Sequence, residues 1–597
     1  MARDSLELAS LASSSQLNDQ TADDVSSRPS IGSSRRLSLI EEDPLHPSDY
    51  ESGRGRMNRS YSVSSAFDFA ANMFPLSSTA AGGGSGYAPL GAPTANGGVE
   101  SLEKHKTLTY LNGLSLIIGL VIGSGIFSSP SQVGSQVGSP GAALVVWVFA
   151  GILVWTGASS YAELGGAIPL NGGSQVYLAK TFGELTGFLF TWVAVLVLKP
   201  GSAAIIAIIM GEYFARAFIG ADAETMNPWV SKGVALVGLV LVTSLNCVST
   251  KMGTRANDML MFLKFFALLG VAVIGIIVAA TGISYKGDAH DDWKKTGWFD
   301  NTSSDLSHWA VALYGGLWAY DGWDNTNYVV GEFRNPQRDL PRVINTAMPL
   351  VIIFYVLANV AYFLVLPLDK VNSSNTVAVA FGSQVFGPVG ALIFALIVSA
   401  SCFGALNSST FTSSRLIYVA GKESYFPEIF GTLGVGNADR QSLNTQHTRS
   451  WATKKLSALV GDGDAGLFYT PIYALLLNGV LTALYCIVGE FSTLVTFYGV
   501  AGYIFYFLTV LGVIVLRYKE PNLERPYKTW ITTPIIFCCV SLFLLSKAVF
   551  AEPIQTLIVL AFIVVGIPVY YWRVKGRDRP LKREDAGDGQ PWWKFWK

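Results

Sequence analysis

Apolar residues are distributed very unevenly along this chain. Residues 1–100 are rich in Ser, Gly, Asn and Asp, whereas long apolar runs separated by polar loops begin at Leu108. A run of about twenty apolar residues is long enough to cross a bilayer as a helix. The chain contains about twelve such segments, numbered here in order, with approximate limits 108–137, 141–165, 185–214, 229–248, 256–283, 305–332, 342–367, 387–419, 471–488, 491–517, 530–550 and 555–573.

This pattern predicts an all-α polytopic membrane protein. The low hydrophobicity of residues 1–100 predicts a disordered tail, because such a segment cannot bury enough apolar surface to fold. Residues 101–573 form the predicted membrane domain, in which 421–469 is a long polar loop, and 574–597 form a second tail. Half of all residues are hydrophobic and only 14% are charged, which is typical of a membrane protein.

The basic residues of the loops predict the orientation of the chain. Loops that follow even-numbered segments contain many Lys and Arg residues, and loops that follow odd-numbered segments contain few. Because loops rich in Lys and Arg stay in the cytosol, we expect both tails and the loop 421–469 on the cytosolic side. Glu163 and Glu332 lie near the basic ends of segments 2 and 6, and we expect them to pair with basic groups of the loops.

Segment 1 is interrupted near its middle by Gly119, Gly123 and Gly125, and Pro130 follows them. Inside a membrane, freed backbone groups are tolerated only where other protein or a water-filled cavity satisfies them. The interruption therefore indicates two half-helices whose exposed N–H and C=O ends can hold a small zwitterion or ion. The alternative is a glycine-rich face that allows helices to pack closely.

Segment 6 is interrupted in a similar way, with Asp321, Gly322 and Asp324 near its middle. Broken helices at corresponding positions of two halves are the best sequence indication of a transporter binding site. The two halves are 108–283, with segments 1 to 5, and 305–517, with segments 6 to 10. Since each half has an odd number of segments, the halves have inverted topology, and segments 11 and 12 are additional.

The remaining composition excludes several other kinds of protein. The formal net charge is zero, so the chain as a whole gives no reason to expect a nucleic-acid partner. The five cysteines all lie within apolar segments, which indicates small core residues rather than disulfides or a metal site. The sequence contains no recognisable catalytic pair, phosphate-binding loop or metal-ligand cluster. We therefore expect neither enzymatic activity nor a cofactor or metal.

Several motifs in this sequence resemble those of one family. They include Ile122-Gly-Ser-Gly-Ile-Phe127, Tyr161-Ala-Glu-Leu164, Asn335-Pro-x-Arg-x-Leu-Pro341, Phe411-Thr-Ser-Ser-Arg-Leu416 and Glu524-Arg-Pro526. The sequence resembles the L-type amino acid transporters, which are light chains of heteromeric transporters in the amino acid–polyamine–organocation superfamily. The resemblance covers roughly 108–573. It implies amino acid transport and the LeuT-like fold, with a 5+5 inverted repeat plus two extra helices.

The resemblance assigns substrate-binding residues to the break in segment 1. Ser124, Gly125 and Ile126 match positions that hold the α-amino and α-carboxyl groups, and Ile122 and Gly123 are adjacent. A carboxylate near the start of the second half-helix would meet unpaired N–H groups and the positive end of the helix dipole. An ammonium near the end of the first half-helix would meet unpaired carbonyl groups.

Segments 6 and 8 supply the other residues that the resemblance assigns to the substrate. Trp318 matches the aromatic gate that closes over the substrate, and Ala319 and Tyr320 are expected to offer carbonyl groups to the ammonium. Segment 8 lines the site in the family, so Cys402 and Asn407 are included. The Gly and Ser residues around these two are more typical of helix packing.

Two features depart from the usual family pattern. Light chains of the family carry a cysteine in the outer loop between segments 3 and 4, which bonds a heavy chain. Here that loop, about 218–229, contains no cysteine, so we expect no disulfide-linked heavy chain. Many members for neutral substrates have Gly or Ser at the position of Asp321. The Tyr-Asp-Gly-Trp version resembles the member that carries cystine and cationic amino acids together with neutral ones.

Charged residues inside the apolar segments need a cavity or a partner, because a charge at the bilayer centre costs about 2.5–3.5 kcal/mol on insertion scales. By resemblance, Lys264 takes the place of the sodium ion used by other LeuT-like transporters, and the alternative is a structural ion pair. Lys199 and Asp324 are interpreted as gating or structural residues. Asp321 either faces the substrate cavity or pairs internally with Lys199 or Lys264.

The sequence thus predicts a sodium-independent L-amino acid transporter that works as an exchanger by alternating access in the plasma membrane. Neutral substrates are expected, and Asp321 adds cationic ones. The alternative function is an amino-acid sensor that kept the binding site but transports little. In that case the long cytosolic tail and loop would serve signalling.

Overall fold

The computed structural model describes residues 106–220, 227–285, 287, 295, 297–434, 470–489, 491–551 and 553–575. Regular structure among these residues is helical, and the one β-bridge they contain joins Leu108 to Phe333. The all-α fold class is therefore confirmed. The tail predicted at 1–100, the loop residues 435–469 and the end of the chain at 576–597 lie outside the described residues.

Segments 1 to 5 all form helices. Segment 1 is divided into half-helix 1a, Tyr110–Val121, and half-helix 1b, Gly125–Val137. A short helix, Ser174–Phe182, lies between segments 2 and 3. The other helices are Pro140–Ala167 in segment 2, Glu184–Val193 with the π-helical turn Ala194–Leu198 and the helix Lys199–Ile219 in segment 3, Pro228–Val248 in segment 4 and Thr250–Thr281 in segment 5.

Segments 6 to 12 continue the helical pattern. Segment 6 is divided into half-helix 6a, Leu306–Ala319, and the 3₁₀ helix 6b, Asn325–Glu332. Gly387, with a φ of 68°, bends the helix Val377–Lys422, and segment 8 begins at this bend. The other helices are Pro336–Val365 in segment 7, Leu368–Ser373, Ile472–Val488 in segment 9, Phe491–Lys519 in segment 10, Thr532–Ala551 in segment 11 and Pro553–Tyr570 in segment 12.

Fewer than the twelve predicted membrane crossings are found when helices are selected by length and composition alone. Within the described ranges, eight helices are long and apolar enough to cross a bilayer, and counting the bent pair 1a and 1b as one crossing gives nine. Segment 6 is missing from this count because its break divides it into two short pieces, and the helices of segments 9 and 11 are short. A multi-pass membrane protein is confirmed, whereas the count of twelve crossings stays a prediction.

Segment 3 is the most deeply buried of the long helices. It packs against segments 4 and 8, while segment 2 packs against segment 7. Nearly all side chains in the apolar part of segment 3 are buried, whereas segments 4, 5 and 12 leave much of their apolar surface exposed. A helix that is apolar on all sides and buried is typical of the core of a large protein. Polar residues of segment 3 therefore face other helices rather than lipid.

Ion pairs join the helices at the basic end of the bundle, the end at which segments 2, 6 and 8 finish. The carboxylate of Glu163 accepts hydrogen bonds from both Nε, at 2.9 Å, and Nη2 of Arg517, and it lies 3.5 Å from Nε of Arg525. Glu332 lies 3.2 Å from Nε of Arg415 in segment 8. The expectation of pairing with basic groups of the loops is confirmed for Glu163, through Arg525, whereas Glu332 pairs with a residue inside segment 8.

We expect Glu163→Ala to destabilise the protein, because the substitution removes the buried carboxylate that pairs with the guanidinium groups of Arg517 and Arg525. Removing one partner of a buried ion pair costs about 3–5 kcal/mol. The measurement is the thermal unfolding midpoint of the detergent-purified protein. Glu524→Ala is the control, because Glu524 is an exposed glutamate in the loop that contains Arg525. Equal midpoints for the two variants would contradict the structural role of Glu163.

Candidate functional site

The break in segment 1 exposes backbone groups inside the bundle. Half-helices 1a and 1b are bent by 41° relative to each other at Ile122, Gly123 and Ser124. Within the described residues, the backbone N–H groups of Ser124, Gly125 and Ile126 have no hydrogen-bond acceptor. The first N–H groups of a helix lack partners in their own helix and lie at the positive end of its dipole. This end of half-helix 1b can therefore hold a carboxylate.

The break in segment 6 lies directly against the break in segment 1. A Cβ atom added to Gly125 would collide with the backbone of Ala319 and would come within 2.9 Å of the Ala319 Cβ atom. The hydroxyl of Tyr355 in segment 7 lies 2.5 Å from the carbonyl oxygen of Val121 and 2.9 Å from that of Ala319. One buried side chain thus bonds to the ends of both half-helices 1a and 6a. The sequence analysis missed Tyr355, although a tyrosine inside an apolar helix was a visible signal.

Segment 8 also contacts the break in segment 1. The hydroxyl of Ser401 donates a hydrogen bond of 3.1 Å to the carbonyl of Ile122. Each backbone carbonyl has two lone pairs, so the carbonyls of Val121, Ile122 and Ala319 can each be shared with a ligand. Cys402 is fully buried on the next position of segment 8. The sequence analysis assigned Cys402 in this part of segment 8 and interpreted the serines around it as packing residues.

Trp318 and Asp321 line a narrow cavity between segments 6 and 10. The indole ring of Trp318 packs edge-on against Tyr498, with ring centroids 5.3 Å apart. The buried indole N–H has no hydrogen-bond partner among the residues that the structure describes. Tyr320 points elsewhere, because its hydroxyl donates to the carbonyl of Trp147 at 3.1 Å. The structure thus places Trp318 where a gate over the break can act, and it places the Tyr320 ring in the aromatic core.

The carboxylate of Asp321 accepts hydrogen bonds only from neutral groups. The Tyr498 hydroxyl donates to Oδ1 at 2.8 Å, and the Ser202 hydroxyl lies 3.5 Å from Oδ2. Within the described ranges, neither Lys199 nor Lys264 forms an ion pair with this carboxylate. The described residues thus contain no direct ion pair between Asp321 and either lysine, although the charges of Lys199 and Asp321 interact at longer range. Asp321 faces the cavity that Trp318 lines, and its role toward a substrate stays a prediction.

Lys264 lies between segments 1 and 8. Its side chain is 1% exposed, and its ammonium donates a hydrogen bond of 2.5 Å to the carbonyl of Gly119 in half-helix 1a. A Cβ atom on Gly404 in segment 8 would come within 3.2 Å of the Lys264 Cε atom. The described residues include no carboxylate paired with Lys264, so the structural ion pair considered as an alternative is not present among them. The remaining interpretation is a lysine ammonium that binds a backbone carbonyl of segment 1.

Asn407 belongs to a different cluster. Its side-chain amide donates to the Gly253 carbonyl at 2.9 Å and to the amide oxygen of Asn257 at 2.6 Å. Its amide oxygen accepts a hydrogen bond of 2.6 Å from Asn246. These bonds join segments 4, 5 and 8, and they occupy the donors that a substrate would need. The structure therefore does not bring Asn407 together with the residues of the two breaks.

Lys199 and Asp324 are linked through one tyrosine. The Lys199 ammonium lies 4.0 Å from the centroid of the Tyr328 ring, and the Tyr328 hydroxyl donates to Asp324 Oδ2 at 2.7 Å. All three side chains are buried. Their arrangement is compatible with the structural or gating role that the sequence suggested, and it places a buried cation close to the break in segment 6.

Comparison with known proteins agrees with this arrangement. The family model described as "Amino acid permease" matches residues 108–572. The chain belongs to this family. It is 34% identical over 474 residues to the b(0,+)-type amino acid transporter 1 of Mus musculus. The aligned region covers 79% of this chain and 89% of the relative. The resemblance inferred from the motifs is confirmed, and the protein is a multi-pass membrane protein of an amino acid transporter family.

Two further relatives have names that specify different substrates. The chain is 34% identical over 501 residues to the "Large neutral amino acids transporter small subunit 2" of Mus musculus, covering 83% of this chain and 86% of the relative. It is 33% identical over 475 residues to the human "Cystine/glutamate transporter", covering 79% of this chain and 86% of the relative. Since relatives of similar identity differ in substrate, the residues of the site must decide the substrate range of this chain.

We expect Gly125→Val to abolish uptake of amino acids, because any Cβ atom at this position separates half-helix 1b from the backbone of Ala319. Gly270→Val is the matched control, since a Cβ atom on Gly270 in segment 5 meets nothing within 4 Å. Uptake in cells is measured together with surface expression. Normal uptake by well-expressed Gly125→Val would show that the substrate does not bind at this break.

Proposed function

We propose that this protein is a sodium-independent transporter that exchanges neutral and cationic L-amino acids by alternating access. The observation that carries the proposal is the carboxylate of Asp321, which has only neutral hydrogen-bond donors and lies beside Trp318 at a cavity next to the break in segment 6. A transporter for neutral substrates alone has no use for such a charge, since a buried charge without a partner is costly.

The backbone at the two breaks supplies the recognition of the common part of every substrate. The free N–H groups of Ser124, Gly125 and Ile126 would receive the α-carboxylate. The carbonyl groups of Ile122 and Ala319, which each keep a lone pair beside their internal bond, would receive the α-ammonium together with the carbonyl of Tyr320. Because these contacts use only backbone, they are the same for every side chain that the substrate carries.

The side chain of the substrate would be read by the cavity between segments 6 and 10. Trp318 and Tyr498 offer apolar ring surface to neutral side chains, and Asp321 offers a negative charge to cationic ones. Cys402, on the neighbouring segment 8, remains a candidate lining residue. Asn407 is not part of this proposal, because its amide group bonds to other residues of the bundle.

Lys264 would replace a coupling cation. A sodium ion and a lysine ammonium carry the same charge, and the Lys264 ammonium already occupies a carbonyl of half-helix 1a. The ammonium is tethered to segment 5, so no ion has to be taken up and released in each transport cycle. This is the physical reason to expect transport without sodium.

We further propose that the protein is inserted in the plasma membrane with both termini in the cytosol and that no heavy chain is bound to it by a disulfide. The second part rests on the sequence between Phe218 and Trp229, which contains no cysteine. One relative is by name a small subunit of a transporter. A heavy chain that binds without a disulfide is compatible with this proposal, whereas a disulfide-linked complex on a non-reducing gel would contradict it.

Leucine uptake is expected to be unchanged when sodium is replaced by choline, because Lys264 supplies the positive charge. The measurement uses the purified protein in proteoliposomes, with labelled leucine outside and unlabelled leucine inside or absent. Dependence on internal leucine identifies exchange, and binding without any uptake would identify a sensor instead. Lys264→Ala should lose transport in both salts. A strict requirement for sodium in the wild type would overturn the role given to Lys264.

Asp321→Asn and Asp321→Gly should weaken transport of arginine and lysine far more than transport of leucine. At about 4 Å and an effective dielectric constant near 20, the attraction between Asp321 and a cationic side chain is about 4 kcal/mol before desolvation. The net effect is smaller, and we expect the KM for arginine to rise by one to two decades, at about 1.4 kcal/mol per decade. Asp321→Asn is the closest match in size, and an equal loss for leucine would contradict the cationic-substrate role.

A further inference from the structure

The helix of segment 3 changes its geometry immediately before Lys199. Residues Ala194–Leu198 form a π-helical turn, and the backbone N–H of Lys199 donates to the carbonyl of Ala194. Pro200 follows and has no N–H, so it cannot donate the usual helical hydrogen bond to the carbonyl of Leu196. The Tyr485 hydroxyl of segment 9 donates to that carbonyl at 3.1 Å instead. Single π-helical turns of this kind are frequent at functional sites.

The side chains of Lys199 and Ser202 lie on the same face of segment 3, because residues three apart are neighbours on a helix. They contact different residues of segment 6. Ser202 is the residue that reaches the Asp321 carboxylate, whereas the Lys199 ammonium lies over the ring of Tyr328. Lys199 is therefore turned away from Asp321, although the two are close enough for their charges to interact.

Tyr328 is fixed in a position that can hold this lysine. Its hydroxyl donates to Asp324 Oδ2 at 2.7 Å, and its backbone carbonyl accepts a hydrogen bond of 3.3 Å from Gly172. A cation over the face of a tyrosine ring is attracted by the negative charge density of that face, and the attraction is greater where water is excluded. Asp324 bonds to the hydroxyl at the edge of this ring and places a carboxylate there.

We propose that Tyr328 and Asp324 hold the Lys199 ammonium away from Asp321, so that Asp321 stays available to the cationic side chain of a substrate. This inference rests on the proposed function and deepens it. The Lys199 ammonium lies over the ring of Tyr328, whose hydroxyl bonds to Asp324, and among the described residues it forms no direct ion pair with Asp321. Tyr328 is a positioning residue in this arrangement, and it decides whether the site accepts arginine or behaves as a neutral site.

The test compares arginine and leucine uptake in proteoliposomes for a set of four variants. Tyr328→Leu removes both the ring and the hydroxyl, which frees Lys199 to pair with Asp321. If Lys199 then occupies Asp321 in about nine of ten molecules, the KM for arginine rises about tenfold while that for leucine changes little. The double variant Tyr328→Leu with Lys199→Met should recover arginine uptake, because the competing cation is gone.

Two single variants serve as controls. Tyr328→Phe keeps the ring under the lysine, so arginine uptake should stay close to that of the wild type. Lys199→Met should leave the ratio of arginine uptake to leucine uptake unchanged, since Lys199 does not occupy Asp321 in the wild type, and any structural effect of the substitution acts on both substrates alike. A large gain of arginine uptake in Lys199→Met would show that the lysine does occupy Asp321, and it would overturn the inference.

The outcomes separate this inference from the proposed function. A wild type that carries leucine but not arginine would overturn the cationic part of the proposed function, and the inference with it. A wild type that carries arginine, combined with a Tyr328→Leu variant that weakens both substrates equally, would overturn the inference alone. Failure of the double variant to recover arginine uptake, with leucine uptake retained, would also overturn the inference alone.

Discussion

The structure depends on the satisfaction of backbone groups where two membrane helices are broken at the same place. Inside a bilayer no water is present to bond a free carbonyl, so a broken helix needs a partner from another segment. Tyr355 provides it for both breaks, because its hydroxyl lies within hydrogen-bond distance of the carbonyls of Val121 and Ala319. Ser401 and Lys264 bond to the carbonyls of Ile122 and Gly119. Within the described residues, the N–H groups of Ser124, Gly125 and Ile126 at the start of half-helix 1b have no acceptor, and we propose that they receive the carboxylate of the substrate.

The same requirement explains where the charges lie. Lys264 is tolerated in segment 5 because a carbonyl of half-helix 1a accepts a hydrogen bond from its ammonium group. Lys199 is tolerated in segment 3 because its ammonium lies over the ring face of Tyr328, whose hydroxyl bonds to Asp324. Asp321 has only hydroxyl donors, so its charge is not balanced by a direct partner. Burying that charge costs free energy, and the charge of a cationic substrate in the cavity can offset part of it.

The sequence was sufficient to locate both breaks, because Gly119, Gly123 and Gly125 interrupt an apolar run that otherwise predicts a straight helix. It was also sufficient to identify Lys264 and Asp321, since charges inside apolar segments are visible without a structure. It could not show which residues complete the breaks. Tyr355 is 234 residues from Val121, and Ser401 is 279 residues from Ile122. Helical periodicity indicates which face of a helix is buried, not which distant helix it meets, and for this reason the bonds of Asn407 to segments 4 and 5 were not foreseen.

The basic end of the bundle limits how the two breaks can move. The backbone of Leu108, just before half-helix 1a, exchanges hydrogen bonds of 3.0 Å with Glu332 and Arg334, just after half-helix 6b. Glu332 is also bound to Arg415 in segment 8. Any motion that carries half-helix 1a outward must therefore carry 6b with it or break two backbone bonds. The ion pair between Glu332 and Arg415 and the hydrogen bond from Thr412 to Asn325 both join 6b to segment 8. Because both are side-chain contacts, they can open while the breaks in segments 1 and 6 keep their shared geometry.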